Sequence, residues 1–218
     1  LLATFKEKAL EAIKENKLPI NQEYLEERMG ETRIYLGDNM SLGECVNGDY
    51  DLEDGVVRIA YRDNKNAQEK TVFHEMIHAL SGRTVRLKGG NLDHQRFGLG
   101  FSTYDKQGNK NGKQFRWLNE AVTEEITIEL SGLDHTYASY SVERKYLHDL
   151  YSQGVSKKLI YDAYFENYDP DSKEKVPKWK ELISQIKDTH PTIEDRVGSV
   201  EYLKKVEQEI QALKPMSQ

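Results

Sequence analysis

The sequence has a single cysteine, Cys45, so no disulfide can form within the chain. Cys45 also stands in no Cys/His spacing that would grip a structural metal, which leaves it as a passive thiol, packed or at the surface. No run approaches the eighteen or so consecutive apolar residues of a membrane span. Basic residues are few relative to acidic ones, 31 Lys and Arg against 37 Asp and Glu, giving a net charge of −6. They are scattered rather than gathered into a stripe, which argues against a surface that neutralises nucleic-acid phosphates. There is no internal repeat and no low-complexity tract. A near-absence of cysteine suits the cytoplasm without excluding secretion, so the compartment is left open. Because the chain begins at Leu1 rather than Met, we expect a segment ahead of it to have been removed or left out, and any signal or anchor with it.

What the chain does have is enough length, 218 residues, for one domain or one domain with a helical extension around a substantial core. Hydrophobic content of 37% with 31% charged residues suits a soluble, helix-rich protein. Apolar spacing and stop signals predict helices over 3–17 and 21–29, the second stopped at Gly30. Strands are expected over 32–36 and 55–62, with a weaker one over 42–46. After Gly132 the chain turns helical, over 139–153 with Gly154 as a stop, 156–168, 177–188 and 192–213. The expected division is a helical N-terminal segment over 1–30, an α+β core over 31–135 and a helical portion over 136–218, together one compact domain.

The most informative residues are His74-Glu75-Met76-Ile77-His78, an HExxH pattern inside an apolar run. Residues four apart on an α-helix share a face, so two imidazoles at this spacing can grip one metal ion. Glu75 projects beside them, within reach of a water on that metal. A helix start at Asn66, with Glu69 three residues on, and a stop at Gly82 frame the motif. Phe73, Met76, Ile77 and Leu80 recur at helical spacing and face a core, while His74, His78 and Ser81 share a neighbouring face. Two histidines on an ordinary amphipathic helix are the competing reading. Downstream, Leu118, Ala121, Val122, Ile126 and Leu130 predict a second helix over 118–130, with Glu120 and Glu124 one turn apart on another side. Glu120 offers a carboxylate to complete a three-ligand zinc site with an open fourth position. A solvated acidic face is the alternative.

Neither Gly three residues nor His six residues after His78 is present, since Ser81 and Thr84 stand there, so a third histidine at that spacing is absent. Trp117-Leu118-Asn119-Glu120-Ala121, with Glu124 four residues past Glu120, resembles the second motif of the gluzincins, the thermolysin-like and aminopeptidase N-like peptidases. The resemblance covers about thirty residues in two pieces, and the 42 residues from His78 to Glu120 are about twice the interval usual in those families. It implies a zincin-like fold, a small mixed sheet with two site helices and a helical C-terminal half closing the cleft. It implies Zn2+ held by His74, His78 and Glu120, with Glu75 as general base and then general acid. It implies Glu124 as the carboxylate that accepts the free N–H of a ligating imidazole. The implied substrate is a peptide or protein. The strand over 55–61 would pair with it as an edge strand, or else be an interior strand without substrate contact.

Between the two motifs, 96–104 and 114–117 read as strands around a polar tip at 107–113, a hairpin that serves either as a flap or as decoration. A hydrogen-bond donor for the tetrahedral oxyanion is still wanted. Tyr140 is preferred, with Arg144 one turn later as a cleft-facing cation, over Tyr104, His135, Tyr137 and His148. A packing role competes for every one of the 13 tyrosines. His94, beside Asp93, is a fallback ligand that reads more simply as a surface histidine, and His190 reads as structural. No aminopeptidase-type Gly-rich exopeptidase strand precedes the HExxH helix, which tilts the reading toward an endopeptidase. Two other functions fit the same residues: a catalytically silent zinc-binding regulatory or peptide-binding module, and an effector-type zinc protease with one narrow target.

Overall fold

The computed structural model of the chain describes residues 1–37, 47–51, 54–61, 63–88, 91–133, 140–167, 177–190 and 196–213. The expected strand over 42–46, Cys45, His135 and Tyr137 lie outside the described residues. Among those described, the chain is mixed α and β, with eight helices and two small sheets. No described helix is long and apolar enough to cross a membrane. Residues divide into two compact units, one from 1–81 with 123–139 and the other from 82–122 with 140–218. Helix α4 (Arg116–Ser131) is continuous and contributes to both.

In the first unit, α1 (Leu2–Lys14) buries Phe5, Ala9 and Ala12 at helical spacing, and Phe5 meets Phe73 edge-on at 5.2 Å. Helix α2 (Gln22–Glu31) starts where Asn21 accepts the Tyr24 N–H at 2.7 Å. It runs through Gly30 to Glu31 instead of stopping there, since a glycine weakens a helix without forcing its end. Its side chains complete the end of α3 (Lys65–Leu80): the Tyr24 hydroxyl donates to the Leu80 carbonyl at 3.0 Å, and the Arg28 guanidinium donates to that of Ala79 at 2.8 Å. Those carbonyls have no partner within their own helix, and a cation there also suits the helix dipole.

Strand β3 (Val56–Ala60) pairs in parallel with β1 (Arg33–Gly37) and antiparallel with β2 (Gly48–Asp51). The expected strands at 32–36 and 55–62 are therefore present, but β3 is interior, its Val56, Val57, Ile59 and Ala60 buried, and β1 and β2 form the two sheet edges among the described residues. Of the two positions expected for the strand over 55–61, the interior one is observed. Helix α3 starts two residues before its expected cap: the Asn64 side chain accepts the N–H groups of Asn66 and Ala67 at 3.0 and 3.1 Å.

The second unit holds an antiparallel meander of β4 (Arg83–Lys88), β5 (Asn91–Phe97), β6 (Gly100–Tyr104) and β7 (Lys110–Gln114). The stretch 96–104, expected as one strand, is two. The chain reverses at Gly98, whose φ is +54°, and the Leu99 N–H donates to Asn119 Oδ1 at 2.9 Å. The hairpin tip lies at 105–109, earlier than expected, because Asp105 Oδ1 accepts the N–H groups of Gln107 and Asn109, each at 2.9 Å. Helices α5 (Ser141–Ser152), α6 (Lys157–Phe165), α7 (Lys178–Thr189) and α8 (Arg196–Leu213) follow the expected spans closely. Leu147, Leu150, Ile160, Tyr164, Leu182, Ile186 and Leu203 are fully buried among them.

The buried Arg96 guanidinium closes the end of α6 by donating to the carbonyls of Ala163, at 2.9 Å, and Glu166. Gly82 packs against the same turn. Helix α3 ends at Leu80 with Ser81 as its cap, so Gly82 is not the helix stop. It is glycine because a Cβ would fall 2.1 Å from the Glu166 carbonyl oxygen and 2.5 Å from its carbon. Backbone cannot yield as a side-chain tip would, so G82A should lower the unfolding free energy by about 2–3 kcal/mol. Urea denaturation checks this, and a variant within about 0.5 kcal/mol of wild type would contradict the packing described.

Candidate metal centre

Helices α3 and α4 are buried almost all round, from Val72 to Leu80 in one and from Ala121 to Thr127 in the other. A helix enclosed in this way is ordinarily apolar on every side. These two carry His74, Glu75 and His78, and Thr123, Glu124 and Glu125, each no more than 7% exposed. Burying such groups costs free energy unless they find partners, so their partners describe what the site is built to do.

His74 and His78 stand one turn apart with ring centroids at 4.8 Å and planes at 81°. Their Nδ1 atoms are engaged by adjacent residues of α4. His74 Nδ1 lies 3.1 Å from Glu124 Oε2, and His78 Nδ1 lies 3.3 Å from Thr123 Oγ1. A carboxylate accepts only, so His74 donates from Nδ1, and it is the neutral form of the ring that would offer its Nε2 lone pair to a metal. Glu120 is one turn before Glu124 on the same helix. It is partly buried, and exposed Arg116 stands 3.6 Å from its Oε1. The atoms that His74, His78 and Glu120 can offer a metal all lie within 4.8 Å of one another.

The group fits a divalent ion by its chemistry. Two neutral imidazoles and one carboxylate make the donor set of a three-ligand zinc site, with bonds of about 2.0–2.2 Å reached by small side-chain adjustments. The carboxylate behind His74 is the customary support of a ligating imidazole.

Two neighbours complete the arrangement. Glu75 is 6% exposed, and the edge strand passes close above it: a Cβ on Gly48 would lie 2.9 Å from Glu75 Cγ and 3.1 Å from its Oε1. Lys70, one turn before His74 and also 6% exposed, forms an ion pair with Glu124 Oε1. Glu124 thus holds His74 through one oxygen and Lys70 through the other. Burial pushes the Glu124 carboxyl up, but the hydrogen bond and charge of His74, and then those of Lys70, outweigh it. The carboxyl ends below its ordinary range.

Helix α4 is itself held at its start. Glu207 accepts the N–H groups of Phe115, at 2.8 Å, and Arg116, at 3.0 Å, an anion at a helix N-terminus. The Trp117 indole N–H donates to the Leu203 carbonyl at 3.1 Å.

Of the residues singled out in the sequence, His74, His78, Glu120 and Glu124 are brought together. Tyr140 is the N-cap residue of α5, where its carbonyl accepts the Arg144 N–H at 2.9 Å. The Tyr104 hydroxyl donates to Gln95 at 2.8 Å, and the His148 ring neighbours Tyr151 at 5.7 Å. His94 lies on β5 with its Nδ1 2.7 Å from Asp93, outside the metal group, and His190 packs on Tyr202 at 4.5 Å. Sequence reasoning missed Thr123, Lys70 and Glu207. Lys70 alone carried a signal, a cation four residues before His74 on the same face.

Compared with known proteins, the chain matches no family model, and neither a curated protein nor a solved structure matches it significantly.

Because the folded Glu124 carboxyl titrates below its unfolded value of about 4.3, its stabilisation is present above that pH and is lost as pH falls through the folded value. Metal-free E124Q should therefore be less stable than wild type by about 3 kcal/mol at neutral pH. The gap should narrow progressively below about pH 4. Paired urea titrations across this range measure it, and a gap independent of pH would contradict the ion pair.

Proposed function

We propose that the chain is a zinc-dependent metallopeptidase of gluzincin type with a zincin-like core, acting on peptide or protein substrates as an endopeptidase. One observation carries the reading: His74, His78 and Glu120 offer their donor atoms within 4.8 Å, with a carboxylate behind the first imidazole.

In this reading His74, His78 and Glu120 hold Zn2+ and leave a fourth position open. When bound, the ion supplies Lewis acidity, making a water acidic near neutral pH and polarising the scissile carbonyl. Glu75 accepts the proton of the attacking water and delivers it to the departing amine. Glu124 keeps the His74 ring oriented and its Nδ1 protonated. Thr123 does the corresponding positioning at His78. The role of pairing with extended substrate passes from β3 to β2, which forms one sheet edge among the described residues and runs against Glu75.

Tyr140 is proposed as the donor to the oxyanion. Y140F should lower kcat about a hundredfold with zinc content unchanged. Equal turnover by Y140F and wild type would remove Tyr140 from the mechanism.

The central test is hydrolysis of a broad peptide library by purified protein, before and after chelation. Cleavage should vanish with 1,10-phenanthroline and return with added Zn2+. E75Q should bind zinc as wild type does yet lose about a hundredfold or more in turnover. E120A should lose more than about a hundredfold in zinc affinity. Metal content insensitive to E120A, or cleavage insensitive to chelator, would overturn the assignment.

A further inference from the structure

The feature of this centre that the proposed mechanism does not use is a lysine. Lys70 is as buried as the imidazoles, and its ammonium group is committed to Glu124 Oε1 while Glu124 Oε2 meets His74 Nδ1. Lys70, His74 and His78 follow at i, i+4 and i+8 along α3, so the ammonium stands in line behind the ligand pair. A support carboxylate that is hydrogen-bonded itself is held in one orientation, and its second oxygen cannot rotate toward the imidazole. The ammonium also offsets the negative charge that Glu124 would otherwise bring to within one hydrogen bond of the ligand ring.

We propose that Lys70 is a positioning residue of the metal centre: it fixes the Glu124 carboxylate, which in turn fixes His74 with Nδ1 protonated and Nε2 presented to the metal. The inference rests on reading His74, His78 and Glu120 as a metal site and adds a third tier of residues to it. Lys70 touches neither metal nor substrate, and it acts only through Glu124. Its influence on metal binding must therefore disappear when Glu124 no longer carries charge.

Cobalt(II) serves as the probe because its visible absorption reports both binding and coordination geometry. Co2+ titrations of wild type, K70M, K70R, E124Q and the K70M/E124Q double variant are compared, with circular dichroism confirming that each is folded. K70M should bind Co2+ about tenfold more weakly and with an altered visible band. K70R, which keeps a cation against the carboxylate, should stay within about threefold of wild type. The double variant should match E124Q alone. In metal-free protein, the 15N shifts of His74 should show the Nδ1–H tautomer in wild type and K70R and a mixture of tautomers in K70M. Should K70M not fold, K70Q is read in its place, and K70R is compared with wild type as before.

K70M binding Co2+ as tightly as wild type, with an unchanged tautomer, would overturn the inference while leaving the metal centre standing. So would a full tenfold loss from K70M in the E124Q background, because Lys70 would then act by another route. Wild-type protein that takes up no Co2+ would overturn the metal reading itself, and this inference with it.

Discussion

One carboxylate, that of Glu124, fixes how α3 and α4 meet. It is 2% exposed and could not stay charged there alone. Its two oxygens find Lys70 and His74, which stand one turn apart on α3, so a single residue of α4 spans the pitch of the other helix. Once Glu124 is seated, Thr123 beside it falls to His78, and Glu120 one turn earlier falls to the same locality as both rings. The register of two buried helices and the convergence of three donor groups are one constraint seen from two sides. Apolar packing alone would not choose that register, because apolar faces tolerate sliding far better than paired charges do.

The rest of the fold secures the ends of these helices. Tyr24 and Arg28 from α2 satisfy the last carbonyls of α3, and Glu207 from α8 satisfies the first amides of α4. Similar logic recurs at α6, whose terminal carbonyls receive the Arg96 guanidinium, with Gly82 making room for the chain to pass. In each case a charged side chain distant in sequence takes over a backbone group that the helix leaves without a partner. His74 and Glu124 sit in mid-helix, whereas His78 lies in the last turn of α3 and Glu120 close to the start of α4, so the contacts that secure those two ends also limit fraying at the site.

Much of this was legible in the sequence where periodicity was long and strong. The two site helices and α8 run to four turns or more, the other helices after Gly132 are shorter but keep regular apolar spacing, and the observed spans differ from expectation by a few residues at most. The HExxH and Asn-Glu-Ala stretches gave the donor groups because ligand spacing along a helix is a local property. What escaped was set by contacts between distant segments. Asn64 and Asn66 both fit a cap, and only the path of the incoming chain selects Asn64. The break at Gly98 depends on Asn119 reaching back to Leu99 across twenty residues. Strand β2, Gly48-Asp49-Tyr50-Asp51, has no strand-like composition, and its aspartates are held by Arg58 of the neighbouring strand. Thr123 looks like a routine helix residue until the facing helix is known, and Lys70 shows only its spacing from His74.

The unit that contains His74 and His78 is assembled from two stretches of chain, residues 1–81 and a return segment that starts at residue 123. A ribosome adds about 5–20 residues each second, and it must make 46 more residues after His78 before Glu124 exists at all. During those seconds Lys70 and both imidazoles belong to a nascent polypeptide without their carboxylate, and α3 cannot yet bury its polar side at acceptable cost. Docking of α4 is therefore a late step of biosynthesis, and the three donor groups come together only with it. The topology delays the convergence of His74, His78 and Glu120 until well over half of the chain has left the exit tunnel.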